Sequence, residues 1–210
     1  LWQDPSMMRE RVSMLVFDRL GLPAPREAHV RLYVGPRREF AGLYTLVEAI
    51  DRDFLDRVFG ESGGHLYEYQ WHDEYRFDKA PNDLDWYAPR FEPRTHESAS
   101  AFEHYDPLRE LVRLITETPG PALDEALAPY FDLRRYITHV AVENVLSNPD
   151  GLVGGLGMNN FYLYRYQGTT RATLVPWDQD LAFEQLDAPT PDAPLASNVL
   201  IGLFAVKGWV

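Results

Sequence analysis

The chain of 210 residues carries 20 lysine and arginine against 32 aspartate and glutamate residues, a net charge of −12. This field disfavours binding to nucleic-acid backbones and to anionic membrane surfaces. The absence of cysteine excludes disulfides, thiolate catalysis and cysteine-ligated metals. Apolar residues make up 45% and aromatic residues 13% of the chain, as expected for a folded domain with a sizeable core.

The first predicted element is a helix that follows Asp4. Asp4 is a good N-cap, and Pro5 occupies the first helical position, where its missing N–H costs nothing. Gly21 ends the helix. Apolar side chains recur at helical spacing in between, at Met8, Val12, Leu15, Val16 and Leu20.

Two strands and a short helix are predicted next. Residues 28–34 alternate between apolar and polar side chains, which is typical of a half-buried strand, and residues 41–48 return as a second strand. Asp51 caps a helix that ends at Gly60.

The central part of the chain predicts one more strand at residues 65–71, an irregular stretch at 72–106, and two helices. The first helix starts at residues 106–107 and the second is capped by Asp132. Because hairpins and helices occur in separate runs, the sequence predicts an α+β fold. We expect a single domain over residues 1–210, with any division into lobes within residues 92–106.

The chemically informative segment is a predicted hairpin of residues 161–166 and 172–177. If its turn centres near residue 169, Asn160 lies opposite Asp178. Opposed residues have Cβ atoms ~4.5–5.5 Å apart, so the amide and carboxylate oxygens can share a hard cation such as Mg²⁺.

Asp150 precedes the first strand of this hairpin, and its side chain can extend over the same end. A carboxylate that accepts a hydroxyl proton, with an Asn and an Asp on a metal, can perform phosphoryl transfer. The order Asp150, Asn160, hairpin, Asp178 is also that of protein-kinase catalytic machinery. The ten positions from Asp150 to Asn160 exceed the roughly five of the common kinase loop, so the sequence predicts an atypical kinase.

Several separated motifs resemble the spore-coat protein H (CotH) kinase family. Two of them overlap the two strands of the predicted hairpin: residues 160–165 (NFYLYR) and 175–182 (VPWDQDLA). Three others lie earlier, at residues 4–9 (DPSMMR), 20–25 (LGLPAP) and 41–48 (AGLYTLVE). They occur in the family's order and span most of the chain.

The resemblance implies an atypical protein-kinase-like fold that uses ATP and a divalent metal, Mg²⁺, to phosphorylate serine or threonine hydroxyls of proteins. It implies that Asp150 is the catalytic base, that Asn160 and Asp178 are metal ligands, and that Asp180 is an auxiliary acid beside the metal. A location outside the cell, or on the spore or cell surface, would follow. Because the chain begins with Leu1 and lacks the family's early strands, we expect a domain truncated at both ends.

The chain departs from the family at the strand that often carries a phosphate-binding lysine. Here residues 64–71 (GHLYEYQW) contain no lysine. The two lysines of the chain are Lys79 and Lys207, so the cation is expected to be an arginine, one of these lysines, or a residue before Leu1.

Simpler interpretations remain open for the three candidate carboxylates. Asp178 and Asp180 also fit a turn or cap at a strand end, and Asp150 fits an ordinary turn within residues 148–151 (NPDG). The glycines of residues 151–157 lack the context of a phosphate-binding loop and predict a flexible loop. Pairs of histidines (His65 with His72, His96 with His104) are better explained as core or surface residues than as zinc ligands.

The aromatic run from Tyr67 to Phe77 could form a platform for a sugar or base, although alternating aromatic residues on a strand more often pack. Two other functions compete with phosphoryl transfer. One is a protein-binding module that has lost turnover. The other is a glycan hydrolase that uses Asp178 and Asp180, which the short spacing of these acids disfavours. The longest apolar stretch, residues 199–206, falls short of the ~18 residues of a membrane span.

Overall fold

The computed structural model describes residues 4–72 and 75–183, in which helices and antiparallel strands are mixed, as the sequence predicts. The α-helices are α1 (Arg9–Arg19), α2 (Arg52–Phe59), α3 (Ala101–Glu117), α4 (Leu123–Leu127) and α5 (Leu133–Leu146). The strands are β1 (Glu27–Val34), β2 (Glu39–Val47), β3 (His65–Tyr69), β4 (Phe91–Pro93), β5 (Phe161–Arg165) and β6 (Ala172–Pro176).

Four strands form a central antiparallel sheet in the order β4-β3-β5-β6. In its register His65 pairs with Arg165, and Phe161 pairs with Pro176. Strands β1 and β2 form a separate two-stranded hairpin. Strand β5 therefore lies inside the sheet and β6 lies at its edge. The candidate site lies where β5 begins and β6 ends.

Side chains on a strand alternate between the two faces of a sheet, and the central sheet carries apolar side chains on both. Helices cover both faces. On one face, the sheet residues Tyr67, Phe161 and Leu163 pack in a core with α3, α4 and α5. On the other face, the sheet packs against Phe54 and Leu55 of α2. The residues contributed by the sheet to this second core are Leu66, Tyr162, Tyr164 and Val175.

A third core joins the first helix to the last elements of the described chain. Met14 and Phe17 of α1 pack against Val142 and Leu146 of α5, with Ala182 beside them. This core sets α1 next to the loop that follows β6, which matters for the site.

The predicted start of the first helix is wrong by several residues. Helix α1 begins at Arg9, and the chain from Pro5 to Met8 forms turns instead. The carboxylate of Asp4 accepts N–H groups from Ser6 at 3.0 Å and from Arg9 at 2.9 Å, so its capping oxygens stabilise a wider turn.

The predicted start of the third helix at residues 106–107 is also wrong. Helix α3 is capped by Ser100, whose Oγ accepts the N–H of Glu103 at 3.2 Å, and Pro107 lies inside it. Pro107 has no N–H for the carbonyl four residues earlier, at Glu103. Arg165 donates to that carbonyl at 2.8 Å, so tertiary structure supplies the missing partner.

Two other expectations need correction. The stretch of residues 72–106 includes β4 and a short 3₁₀ helix at Leu84–Tyr87, where the sequence predicts irregular structure. The β1–β2 hairpin is mostly exposed rather than half-buried. Its exposed large apolar residues are Leu32, Tyr33, Val34, Phe40, Leu43, Tyr44 and Leu46.

Candidate active site

Asp150 lies in a turn directly after α5. Ser147 ends the helix in the left-handed conformation (φ 50°), and the backbone N–H of Asp150 donates to Oδ1 of Asn148 at 3.0 Å. Asparagine favours this local turn because its side chain can bond the backbone two residues on. The predicted turn at residues 148–151 is therefore present, and it determines where the Asp150 carboxylate points.

Both carboxylate oxygens of Asp150 accept hydrogen bonds from the asparagines that precede β5. Nδ2 of Asn160 donates to Oδ2 and to the backbone carbonyl of Asp150, each at 3.0 Å. Nδ2 of Asn159 donates to Oδ1 at 3.1 Å. Two of the predicted site residues, Asp150 and Asn160, are thus in direct contact, and a planar amide bonded in this way directs its oxygen away from Asp150.

The predicted pairing of Asn160 with Asp178 is wrong by one residue. The backbone N–H of Trp177 donates to the carbonyl of Asn160 at 2.9 Å, so Trp177 is the residue opposite. The cause is the hairpin loop, which closes when Tyr166 N–H donates to the Arg171 carbonyl at 2.9 Å. Asp178 is consequently the first residue beyond the paired strands.

Asn160 and Asp178 both adopt left-handed backbone conformations, with φ of 56° and 44°. Such conformations are strained for residues other than glycine, although Asn and Asp tolerate them best. Strain of this kind persists where the surrounding structure enforces it and is common at functional sites. Here it occurs at the two positions where the chain enters and leaves the β5–β6 pair.

Three carboxylates share this end of the hairpin. Protein atoms desolvate Asp178, although part of its side chain reaches solvent, and with Asp180 and Asp150 nearby this raises the pKa of Asp178. Burial, Asp4 and Asp150 likewise raise the pKa of Asp180, while Arg9 lowers it. Carboxylates whose pKa is raised by burial and by neighbouring acids, as for Asp178 and Asp180, are stabilised as anions by a bound cation.

In residues 4–72 and 75–183, no group of three or more histidine, cysteine, aspartate or glutamate side chains is arranged to hold a metal ion. The predicted ligand set of Asn160, Asp178 and Asp180 contains two carboxylates and one amide, and it stays a prediction. Its oxygen donors and mutual repulsion fit Mg²⁺ in chemical type, since this ion takes few protein ligands and keeps several waters.

The glycine-rich loop after Asp150 is packed into the protein. Leu152 and Val153 are buried in the main core, although the sequence predicts a flexible loop. A Cβ on Gly154 would lie 2.1 Å from the carbonyl oxygen of Pro149, so only glycine allows this close approach. Arg76 donates to the carbonyl of Gly154 at 3.3 Å.

The aromatic run is mainly core. Tyr67, Tyr69, Tyr75 and Phe77 are buried, which confirms packing, and Trp71 is exposed and donates to the carbonyl of Leu156 at 3.2 Å. His65, His96 and His104 gather in one cluster, with ring centroids of His65 and His96 4.5 Å apart and of His65 and His104 5.2 Å apart. The cluster thus contains both His96 and His104, whereas His72 is exposed, as expected for core or surface histidines.

Sequence reasoning missed Glu10 and Gln179 at the site. Glu10 accepts the backbone N–H of Gln179, which connects α1 to the loop between Asp178 and Asp180. Burial, together with Glu27 and Asp178, raises the pKa of Glu10 to about 9. The periodicity of α1 gives no sign of this role, because the contact joins residues 169 positions apart.

The fold and site define an α+β protein with an acidic centre where the strands of an antiparallel hairpin enter and leave the sheet. The model of the family described as CotH kinase protein matches residues 1–200, and the chain belongs to this family. It is 25% identical over 180 residues to "Inner spore coat protein H" of Bacillus subtilis (strain 168). The aligned region covers 85% of this chain and 47% of the relative. The chain thus spans about half the length of that relative.

Among the residues that the structure describes, none of the helices is both long and apolar enough to traverse a bilayer.

Proposed function

We propose that this protein is an atypical protein kinase that uses ATP and Mg²⁺ to phosphorylate serine or threonine hydroxyls of proteins at the spore or cell surface. The observation that carries the proposal is the contact of Asp150 with Asn160 within the electrostatic field of Asp178 and Asp180. The family's description as a kinase and the spore-coat relative support the same reading. A kinase-like fold is part of the proposal.

Asp150 would orient the attacking hydroxyl and accept its proton, because its carboxylate is fixed at both oxygens and lies half-buried. Asn160 and Asp178 would hold Mg²⁺, with Asp180 beside them. The ion, when bound, neutralises the charge that develops on the transferred phosphoryl group. The residues themselves contribute positioning and electrostatic complementarity.

Arg9 is our candidate for the cation that binds the nucleotide phosphates. Its charge acts on Asp180, and its Nη1 is buried without a hydrogen-bond partner among the described residues. Lys79 is mostly exposed and near Asp78, with Nζ 4.0 Å from the carboxylate. The other lysine, Lys207, lies outside the described residues.

Two substitutions separate binding from transfer. We expect Asp178→Ala to abolish Mg²⁺-dependent ATP binding in calorimetry, because a metal ligand is lost. Asp150→Ala should keep binding and lose at least about 100-fold in phosphate transfer, the usual contribution of a general base. Equal turnover of the Asp150 variant and the parent would contradict the assignment of the base.

A second candidate function is a protein-binding module without turnover. The exposed apolar residues of the β1–β2 hairpin favour it, because large apolar patches often mark interaction surfaces. Calorimetry with ATP and Mg²⁺ discriminates between the two, since a module without nucleotide function gives no heat of binding.

A further inference from the structure

Gln179 stands between two acidic residues of the site, but its side chain points into the protein. The side chain is fully buried, and so are its two side-chain partners, Glu143 and Asn148. Nε2 of Gln179 donates to Oε1 of Glu143 at 3.3 Å, and Oε1 of Gln179 accepts from Nδ2 of Asn148 at 3.0 Å. One amide therefore connects α5 with the turn that carries Asp150.

The contact with Asn148 continues to Asp150. Oδ1 of Asn148 accepts the backbone N–H of Asp150 at 3.0 Å. An asparagine amide has its donor and acceptor on different atoms, so a partner that binds the donor also fixes the direction of the acceptor. Gln179 binds Nδ2 of Asn148 and thereby directs Oδ1 toward Asp150.

The orientation of Gln179 is itself determined by its neighbours. Nε2 donates to the carbonyl of Trp177 at 3.1 Å as well as to Glu143, so both acceptors face the nitrogen. The loop of Gly151 packs closely on Glu143, since a Cβ on Gly151 would lie 1.9 Å from Oε2 of Glu143. Glu143 therefore has little room to move away from the amide.

We propose that Gln179 is a positioning residue for Asp150: through Asn148 it holds the turn that aims the Asp150 carboxylate. The inference rests on the proposed function in taking Asp150 as the acceptor of the hydroxyl proton. Gln179 touches neither substrate nor nucleotide in this role. The backbone N–H of Gln179 donates to Glu10 independently of the side chain, so side-chain variants keep this tie to α1.

The kinetic test exchanges an amide and a carboxylate. Gln179→Glu keeps the shape but sets a carboxylate against Glu143, and we expect kcat to fall about tenfold or more with KM for MgATP changed less than about twofold. The double variant Glu143→Gln with Gln179→Glu should regain at least about threefold of the lost kcat, because an amide at position 143 can donate to a carboxylate at position 179, while the carbonyl of Trp177 stays without its donor. Gln167→Glu, the same change at an exposed position, should leave kcat unchanged.

A second measurement does not depend on activity. Hydrogen exchange at the backbone amide of Asp150 should be about tenfold faster in Gln179→Glu than in the parent, and it should slow again in the double variant. If the parent transfers no phosphate, the proposed function fails, and the exchange rates still decide whether Gln179 holds the turn. The inference would be overturned by unchanged exchange at Asp150 in Gln179→Glu. It would also be overturned if Gln179→Glu and the double variant lost kcat equally.

Discussion

Gly154 and Gly155 are neighbours in the loop after Asp150, but their surroundings differ. A Cβ on Gly154 would come within 2.1 Å of the carbonyl oxygen of Pro149, whereas nothing lies within 4 Å of a Cβ on Gly155. The atom near Gly154 belongs to the backbone immediately before Asp150, so relief of the clash must move the turn of the site.

We therefore expect Gly154→Ala to lower the free energy of unfolding by about 1–3 kcal/mol, as overpacking does. Gly155→Ala is the matched control and should stay within about 0.5 kcal/mol of the parent or stabilise it slightly, because alanine restricts the unfolded chain. Urea denaturation of both variants measures the difference. Equal stabilities would show that the loop is not packed as described.

The cluster of His65, His96 and His104 makes the free energy of unfolding depend on pH, again through a single residue. Burial, with the charges of Arg165, His96 and His104, lowers the pKa of His65 to about 4. Glu103 is the acidic partner, with its Oε1 3.5 Å from Nε2 of His65. Because the usual histidine pKa is about 6.5, the unfolded chain binds more protons than the folded chain between these values.

The stability due to neutral His65 is therefore present above about pH 6.5 and is lost as the pH falls toward 4. After allowance for solvent screening, the loss amounts to roughly 1–2 kcal/mol. We expect His65→Gln to show a smaller loss of stability than the parent between pH 7 and pH 4.5 in urea denaturation. The exposed His72, replaced in the same way, is the control, and identical pH profiles of the His65 variant and the parent would contradict the prediction.

At the scale of elements, the two hairpins differ in what surrounds them. The β5–β6 pair lies in the central sheet, and Leu163 on β5 is fully buried. The β1–β2 pair forms a sheet by itself, and Leu46 on β2 is 61% exposed. The same residue type thus has different energetic weight on the two hairpins.

Leu163→Ala should reduce the free energy of unfolding by about 2–5 kcal/mol, because it opens a cavity in the core. Leu46→Thr should change it by less than about 0.5 kcal/mol, because an exposed strand position accepts a β-branched polar residue. Thermal and chemical denaturation test this contrast. A loss above 1 kcal/mol for Leu46→Thr would mean that other parts of the protein cover the hairpin.

At the scale of the whole molecule, the net charge of −12 adds to the electrostatic free energy needed to keep the local cluster of acids ionised. Asp150, Asp178 and Asp180 act on one another at the end of the β5–β6 pair. A divalent cation that binds only the folded state stabilises it by mass action, by about 2.7 kcal/mol at 100 times its Kd.

Mg²⁺ without nucleotide should accordingly raise the melting temperature of the parent at constant ionic strength. Asp178→Asn should abolish this increase, because it removes a proposed metal ligand and one of the repelling charges. Asp56→Asn, which changes an exposed residue of α2, should retain it. A matching increase in the Asp178 variant would show that Mg²⁺ acts elsewhere or through general screening.

Local signals predict much of this fold. At the helix starts predicted for them, the cap Asp51 accepts two N–H groups and the cap Asp132 accepts one, because capping depends on residues a few positions apart. The β5–β6 hairpin is predicted to within one residue of register. The starts of α1 and α3 are missed, because Met7 adopts a left-handed conformation and a distant arginine compensates Pro107.

The sequence by itself determined the family, through separated motifs in order, and brought Asp150, Asn160 and Asp178 together as candidates. Only the tertiary structure decided that Asn160 bonds directly to Asp150, that Trp177 rather than Asp178 faces Asn160, and that Glu10 and Gln179 support the site. The physical reason is range. Caps, turns and periodicity act over a few residues, whereas these contacts depend on packing between elements that are far apart in the chain.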